Sequence, residues 1–156
     1  MKELKKIVAQ HLKGGHAFMP VDDMLEKIPF NKIGISPVGL PYSFYELFSH
    51  MQFAQNDILD YCLRKDYKEA KWPDDYWPGK VAPENEQEWE QLKKAFFEDR
   101  KALEELLTSE DSTLIDPVPS NPQHSLMREV LLVIEHTAYH SGQLLILLRH
   151  LGLHSS

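Results

Sequence analysis

Cysteine is nearly absent from this chain. Cys62 is the only one in 156 residues, so no internal disulfide can form. Basic residues are in deficit, with 17 Lys and Arg against 24 Asp and Glu, a net charge of −7. That argues against nucleic acid as a partner, because phosphate binding needs a basic surface. Long apolar runs are missing too. The longest, Leu144 to Leu148, falls far short of the roughly 20 residues that cross a bilayer. The opening Met1-Lys-Glu-Leu-Lys-Lys has the charge of a secretory leader, but no apolar stretch follows it. A cytoplasmic protein with no membrane partner is expected. No glycine-rich phosphate loop and no Ser-His-Asp order is visible, and no stretch shows strand alternation flanked by hairpin signals.

Proline is absent from three long stretches, and those define the architecture. Proline breaks helix interiors but is tolerated in a first turn. Its positions, 20, 29, 37, 41, 73, 78, 83, 117, 119 and 122, therefore punctuate the chain. A short first helix carries Leu4, Ile7, Val8 and Leu12 on one stripe and stops at Gly14-Gly15, and residues 20–28 add a brief helical turn. The second helix starts near Pro41 or Ser43 and runs to about Lys65, with apolar residues recurring at three and four from Phe44 to Cys62. The third runs from about Glu84 to Thr108 on Trp89, Leu92, Phe96, Leu103 and Leu106. The fourth spans about Ser125 to Leu151 and ends at Gly152. Helices without a sheet predict an all-α four-helix bundle, one domain over residues 1–156. The connections 14–40, 66–83 and 109–123 are long for a minimal bundle, and long loops often line a functional site. The segment Trp72-Pro-Asp-Asp-Tyr-Trp-Pro78 is aromatic enough to pack over one end.

Within the fourth helix, Glu135-His-Thr-Ala-Tyr-His-Ser-Gly-Gln143 is the most informative segment. A helix advances one turn in about 3.6 residues, so His136 and His140 stack on one face and can reach one metal ion. His50 flanks the apolar stripe of the second helix near Leu47 and Ala54. Three histidines with one vacant position form the ligand set of a reactive divalent metal, since the open site admits water or substrate. Binding requires neutral imidazoles, so affinity should fall as pH drops through the histidine range. The bland alternative is three ordinary core-edge histidines with hydrogen-bond partners. The pattern is not His-Glu-x-x-His: Thr137, Ala138 and Tyr139 intervene, and Glu135 precedes the pair and is read as a solvated charge.

The run His136-x-x-x-His140-x-x-Gln143 closing a long C-terminal helix, with His50 on an earlier one, resembles the DinB/YfiT-like family of metal-binding helical bundles. Leu12-x-Gly-Gly-His-Ala17, Leu40-Pro-Tyr-Ser43 and Tyr76-Trp-Pro78 are similar to one branch of it. The resemblance implies an up-down-down-up bundle with a long crossover, a divalent metal (often zinc or nickel) on His50, His136 and His140, and a homodimer. It further implies relatives that are S-transferases using low-molecular-weight thiols such as bacillithiol, or are labelled metal-dependent hydrolases. No catalytic base carries over.

Other residues carry weaker signals. Gln143 could hydrogen-bond metal-bound water or fix a ligand, or be a polar residue at the bundle margin. Glu46 and Asp57 share His50's side of the helix and are candidates to orient a histidine or act as a base, though most helix carboxylates are simply solvated. Tyr139 suits packing or an interface. His16 lies in a loop that could fold back as a fourth ligand, whereas His11, His124, His150 and His154 read as surface residues. Cys62 points along the apolar stripe and reads as a buried structural thiol. The fourth helix is apolar almost all round, which suits burial on more than one side and a partner subunit. The expectation is a metalloenzyme activating a thiol or water against a small-molecule substrate. The rival is a non-catalytic metal-binding stress or interaction protein, whose coordination sphere a protein side chain would fill.

Overall fold

In a computed structural model, which describes residues 1–155, the chain is 58% helical. The helices are α1 (Lys2–Lys13), α2 (Val21–Lys27), α3 (Phe44–Leu63), α4 (Glu86–Thr108) and α5 (Leu126–His150). A 3-10 turn covers Phe30–Lys32. α3 packs against α4 and α5, and α1 against α4 and α5. By length and composition alone α5 could cross a membrane; here Val130, Val133, Leu144, Leu147 and Leu148 bury its inner face in the core.

The helix ends follow local chemistry. Ser43 caps α3 in a reciprocal box: its hydroxyl accepts from the Glu46 N–H and the Glu46 carboxylate accepts from the Ser43 N–H. Two of the otherwise orphaned first-turn donors are thereby satisfied. Asn85 and Ser125 cap α4 and α5 in the simpler way. α5 ends where the Leu153 N–H reaches the Leu148 carbonyl and the Gly152 N–H reaches that of Arg149. Gly152 has φ +71° there, which suits glycine because a Cβ disfavours the left-handed region.

One element departs from the all-helical expectation. β1 (Pro117–Val118) and β2 (Asn121–Ser125) form a small antiparallel hairpin just before α5. Its sequence is polar and proline-rich, with no alternation to read. Its pairing continues into the helix, where the Leu126 and Met127 N–H groups bond the carbonyls of Asp116 and Leu114. The segment leading into β1 thus supplies acceptors that the first turn of α5 lacks.

The core is divided crosswise, into two clusters that follow one another along the helices. One cluster joins Phe44, Phe48, Trp89, Phe96 and Leu144 with α2. The other joins Leu12, Leu59, Leu103, Leu107 and Val130 with the loop residue Leu114. Between them lies a buried polar layer of Gln55 from α3, Arg100 from α4 and Thr137 from α5. The Arg100 guanidinium donates to Gln55 Oε1 at 2.8 and 2.9 Å and to Thr137 Oγ1 at 2.9 Å, and lies over the Phe96 ring at 4.6 Å. Gln55 in turn donates to the Phe96 carbonyl at 2.7 Å. Burial lowers the Arg100 pKa to about 10, so the group stays a cation at neutral pH, held by neutral acceptors and a ring face. Such a layer fixes the register of three helices, because a slip would strand a buried charge.

Cys62 is buried in the second cluster. Burial, with the Glu129 charge adding to it, pushes its thiol up to about 12. At pH 8 only about one thiol in ten thousand is then the reactive thiolate. The folded protein is expected to leave an aromatic disulfide reagent unreacted at that pH and to consume one equivalent once unfolded in urea. Rapid reaction of the folded protein would contradict the burial assigned to this side chain.

Candidate metal centre

α3 and α5 bring together histidines that are 86 and 90 residues apart in the chain. His50 Nε2 lies 3.1 Å from His136 Nε2 and 3.2 Å from His140 Nε2. The three ligand atoms all lie within 4.8 Å of one another, and two of the three residues are buried.

The outer ring nitrogens settle which atoms face inward. His50 Nδ1 is 3.1 Å from the Tyr76 carbonyl, and a carbonyl only accepts, so Nδ1 bears the proton and Nε2 the lone pair. His140 Nδ1 faces Gln143 Oε1 in the same way. Two lone pairs therefore confront each other across 3.2 Å, an arrangement that repels unless a cation lies against both. Protons do not supply it at neutral pH, because burial lowers all three pKa values, that of His136 to about 3 with the neighbouring histidines contributing. Nitrogens bound tetrahedrally to one zinc at 2.0–2.1 Å lie roughly 3.3 Å apart. The donor set and its spacing fit a divalent metal ion.

The cluster opens on a cavity of about 630 Å³ between α3, α5 and the 66–83 connection. Trp77 from that connection stacks flat on His50, ring centres 4.3 Å apart at 4°. Asp57 holds the connection in place, accepting from the Tyr76 hydroxyl at 2.7 Å and the Tyr67 hydroxyl at 2.8 Å. Burial and the Asp57 carboxylate raise both phenol pKa values well above the usual range, so both remain donors. A continuous path thus runs from Asp57 through Tyr76 to His50 Nδ1, and Gln143 plays the corresponding part for His140.

The weaker candidates sort differently. Gln143 lines the cavity and fixes a histidine. Asp57 also lines it, but its two oxygens are engaged by tyrosines. Glu46 belongs to the α3 cap and does not line the cavity. His16 is exposed and lies against His11, ring centres 4.8 Å apart, away from the cluster. Glu135 is exposed. His124 is not a plain surface residue: it pairs with the Tyr61 hydroxyl at 2.8 Å and lies 3.5 Å from the buried Glu129. No local pattern signals this, because His124 and Tyr61 meet only through packing of the hairpin on α3. The role of Tyr76 was likewise unreadable, since a backbone carbonyl leaves no mark on residue identity.

A helical bundle whose buried histidine group can hold a metal ion is the class that fold and site together define. Within that class the chain belongs to the DinB family, which it matches over residues 20–156, from just after α1 to the end. No curated protein and no solved structure matches it.

Proposed function

We propose that this protein binds one divalent metal ion, zinc or nickel, through Nε2 of His50, His136 and His140, and uses it to activate a thiol or water against a small molecule. The observation that carries the reading is the set of inward Nε2 lone pairs, with two of the outer nitrogens already committed to Tyr76 and Gln143. A metal there would act as a Lewis acid, lowering the pKa of the thiol or water brought to it. Tyr76 and Gln143 hold the imidazoles in the ligating tautomer, and Trp77 keeps bulk water off the His50 face. A catalytic rather than purely structural site is supported by the cavity on its open side. Among the described residues, no fourth His, Cys, Asp or Glu joins the group. The family resemblance supports the thiol version, in which a cofactor such as bacillithiol supplies the nucleophile. Among the described residues the only carboxylate lining the cavity, Asp57, is engaged by two phenols, which disfavours a hydrolase needing it as general base. Metal analysis of untagged protein tests the reading directly: a metal-free protein that gains none from excess zinc would end it.

Asp57 is a positioning residue on this reading. Asp57→Ala should free Tyr76 and weaken zinc affinity by up to about tenfold, the low end of the range for groups bonded directly to a ligand, because Asp57 reaches His50 only through the Tyr76 backbone. Helicity by circular dichroism should be retained. Unaltered affinity by competition with a chelator would remove Asp57 from the support of His50.

The arrangement of α1, α3, α4 and α5 is taken as the family's up-down-down-up four-helix bundle. A homodimer through α5 is also proposed. Its outward stripe carries the exposed Leu131 and Ile146, with Glu135 and Gly142 between them. Gly142 meets nothing nearby, so a second helix could approach closely. Light scattering at micromolar concentration should give twice the 18.1 kDa chain mass, and Leu131→Glu with Ile146→Glu should halve it. A monomer in the unmutated protein would refute the dimer.

A further inference from the structure

We propose that the small molecule on which the activated thiol or water acts has a flat, apolar body, and that the cavity selects against a carboxylate on that body. The inference rests on the metal reading for the ligand's reactive end, but its argument concerns the walls. Five of the lining residues present tyrosine or tryptophan rings: Tyr42, Trp72, Tyr76, Trp77 and Tyr139. Leu132, Ile58, Ala54 and Pro41 fill much of the rest. Among the described residues no Lys or Arg lines the cavity, and its one acidic residue is Asp57. A carboxylate entering here would lose its hydration, meet no cation beyond the metal centre, and face both Asp57 and a chain of net charge −7. Protein sites that hold carboxylates use guanidinium or ammonium groups or clustered N–H donors.

The ring geometry favours a planar guest. Tyr42, Trp77 and His50 form a layered wall, with Tyr42 on Trp77 at 21° and Trp77 on His50 at 4°. Two further rings stand at the mouth with much of their surface uncovered in the single chain, Trp72 at 65% exposure and Tyr139 at 67%, Tyr139 at the edge of the α5 stripe proposed to meet a second copy. They come from different elements, the 66–83 connection and α5, so a flat ligand entering the cavity would be touched from two directions. Ring–ring contacts prefer offset or edge-on geometry and add to the burial of apolar area. Two such contacts translate into an advantage of about tenfold or more in affinity for an aromatic over a methyl-sized body.

Three hydroxamates sharing one metal-binding head test this on zinc-loaded protein: acetohydroxamate, benzohydroxamate and 4-carboxybenzohydroxamate, titrated by calorimetry and by tryptophan fluorescence. Benzohydroxamate is expected to bind at least about tenfold tighter than acetohydroxamate, and the para carboxylate should cancel that gain. Trp72→Ala should lose much of the aromatic advantage while zinc remains at one per chain. In metal-free protein, benzamide should still perturb Trp72 and Trp77 fluorescence at lower concentration than benzoate. The metal-free arm reads the walls alone, so failure to load zinc would end the metal reading without deciding this one. Equal binding of the aceto and benzo compounds, or a carboxylate that binds as well as the neutral ring in either arm, would overturn the proposal.

Discussion

His140→Ala is expected to release the metal, with affinity falling by more than about 100-fold, beyond what loss of an outer hydrogen-bond partner costs. His140 supplies one of the two Nε2 atoms packed against His50 Nε2, and its Nδ1 is the group that Gln143 orients. Two remaining imidazoles cannot enclose a divalent ion as three do, and the vacated position fills with water. The fold should survive, because alanine is the best helix former and the side chain stands beside a cavity rather than at the centre of either apolar cluster. Metal content by mass spectrometry, with helicity measured in parallel, gives the result. His154→Ala, outside the cluster, controls for a general histidine effect. Stoichiometric metal in His140→Ala would remove this residue from the ligand set and the proposed chemistry with it.

Phe48→Ala should give the largest loss of stability of any single change discussed, about 3–5 kcal/mol. Phe48 is fully buried, edge-on to Trp89 at 5.4 Å and tilted against Phe96 at 5.0 Å. Its removal leaves a cavity where α3 and α4 meet, and rings fixed on both sides limit collapse into it. That loss is a large share of the roughly 5–15 kcal/mol by which domains are stable. Urea unfolding should show a lowered midpoint with an unchanged slope. A shift worth less than about 1 kcal/mol would mean the two rings close over the gap.

What could be read before folding was whatever depends on neighbours three and four residues away. The helical periods placed α3, α4 and α5 within a few residues of their observed ends, and the spacing of His136 and His140 put both on one face. The cap on α3 was equally legible, since Ser43-x-x-Glu46 before an apolar run is a capping signature. Glu46 as a site candidate gives way to that role. Arg100, four after Phe96 and three before Leu103 on the inner stripe of α4, was not legible as a buried group, because its neutral partners Gln55 and Thr137 come from two other helices.

The sequence by itself determined a helical protein with a histidine pair on one face, because helix geometry is local and repeats with a fixed period. Only the tertiary structure decided that His50 meets that pair at 3.1 and 3.2 Å, that Asp57 accepts from two phenols, and that tryptophans from a loop wall the cavity. Those relations join residues tens of positions apart through backbone carbonyls and ring faces, and neither leaves a periodic trace along the chain. The small hairpin before α5 belongs with them, since the segment leading into it meets the start of that helix through the backbone carbonyls of Leu114 and Asp116.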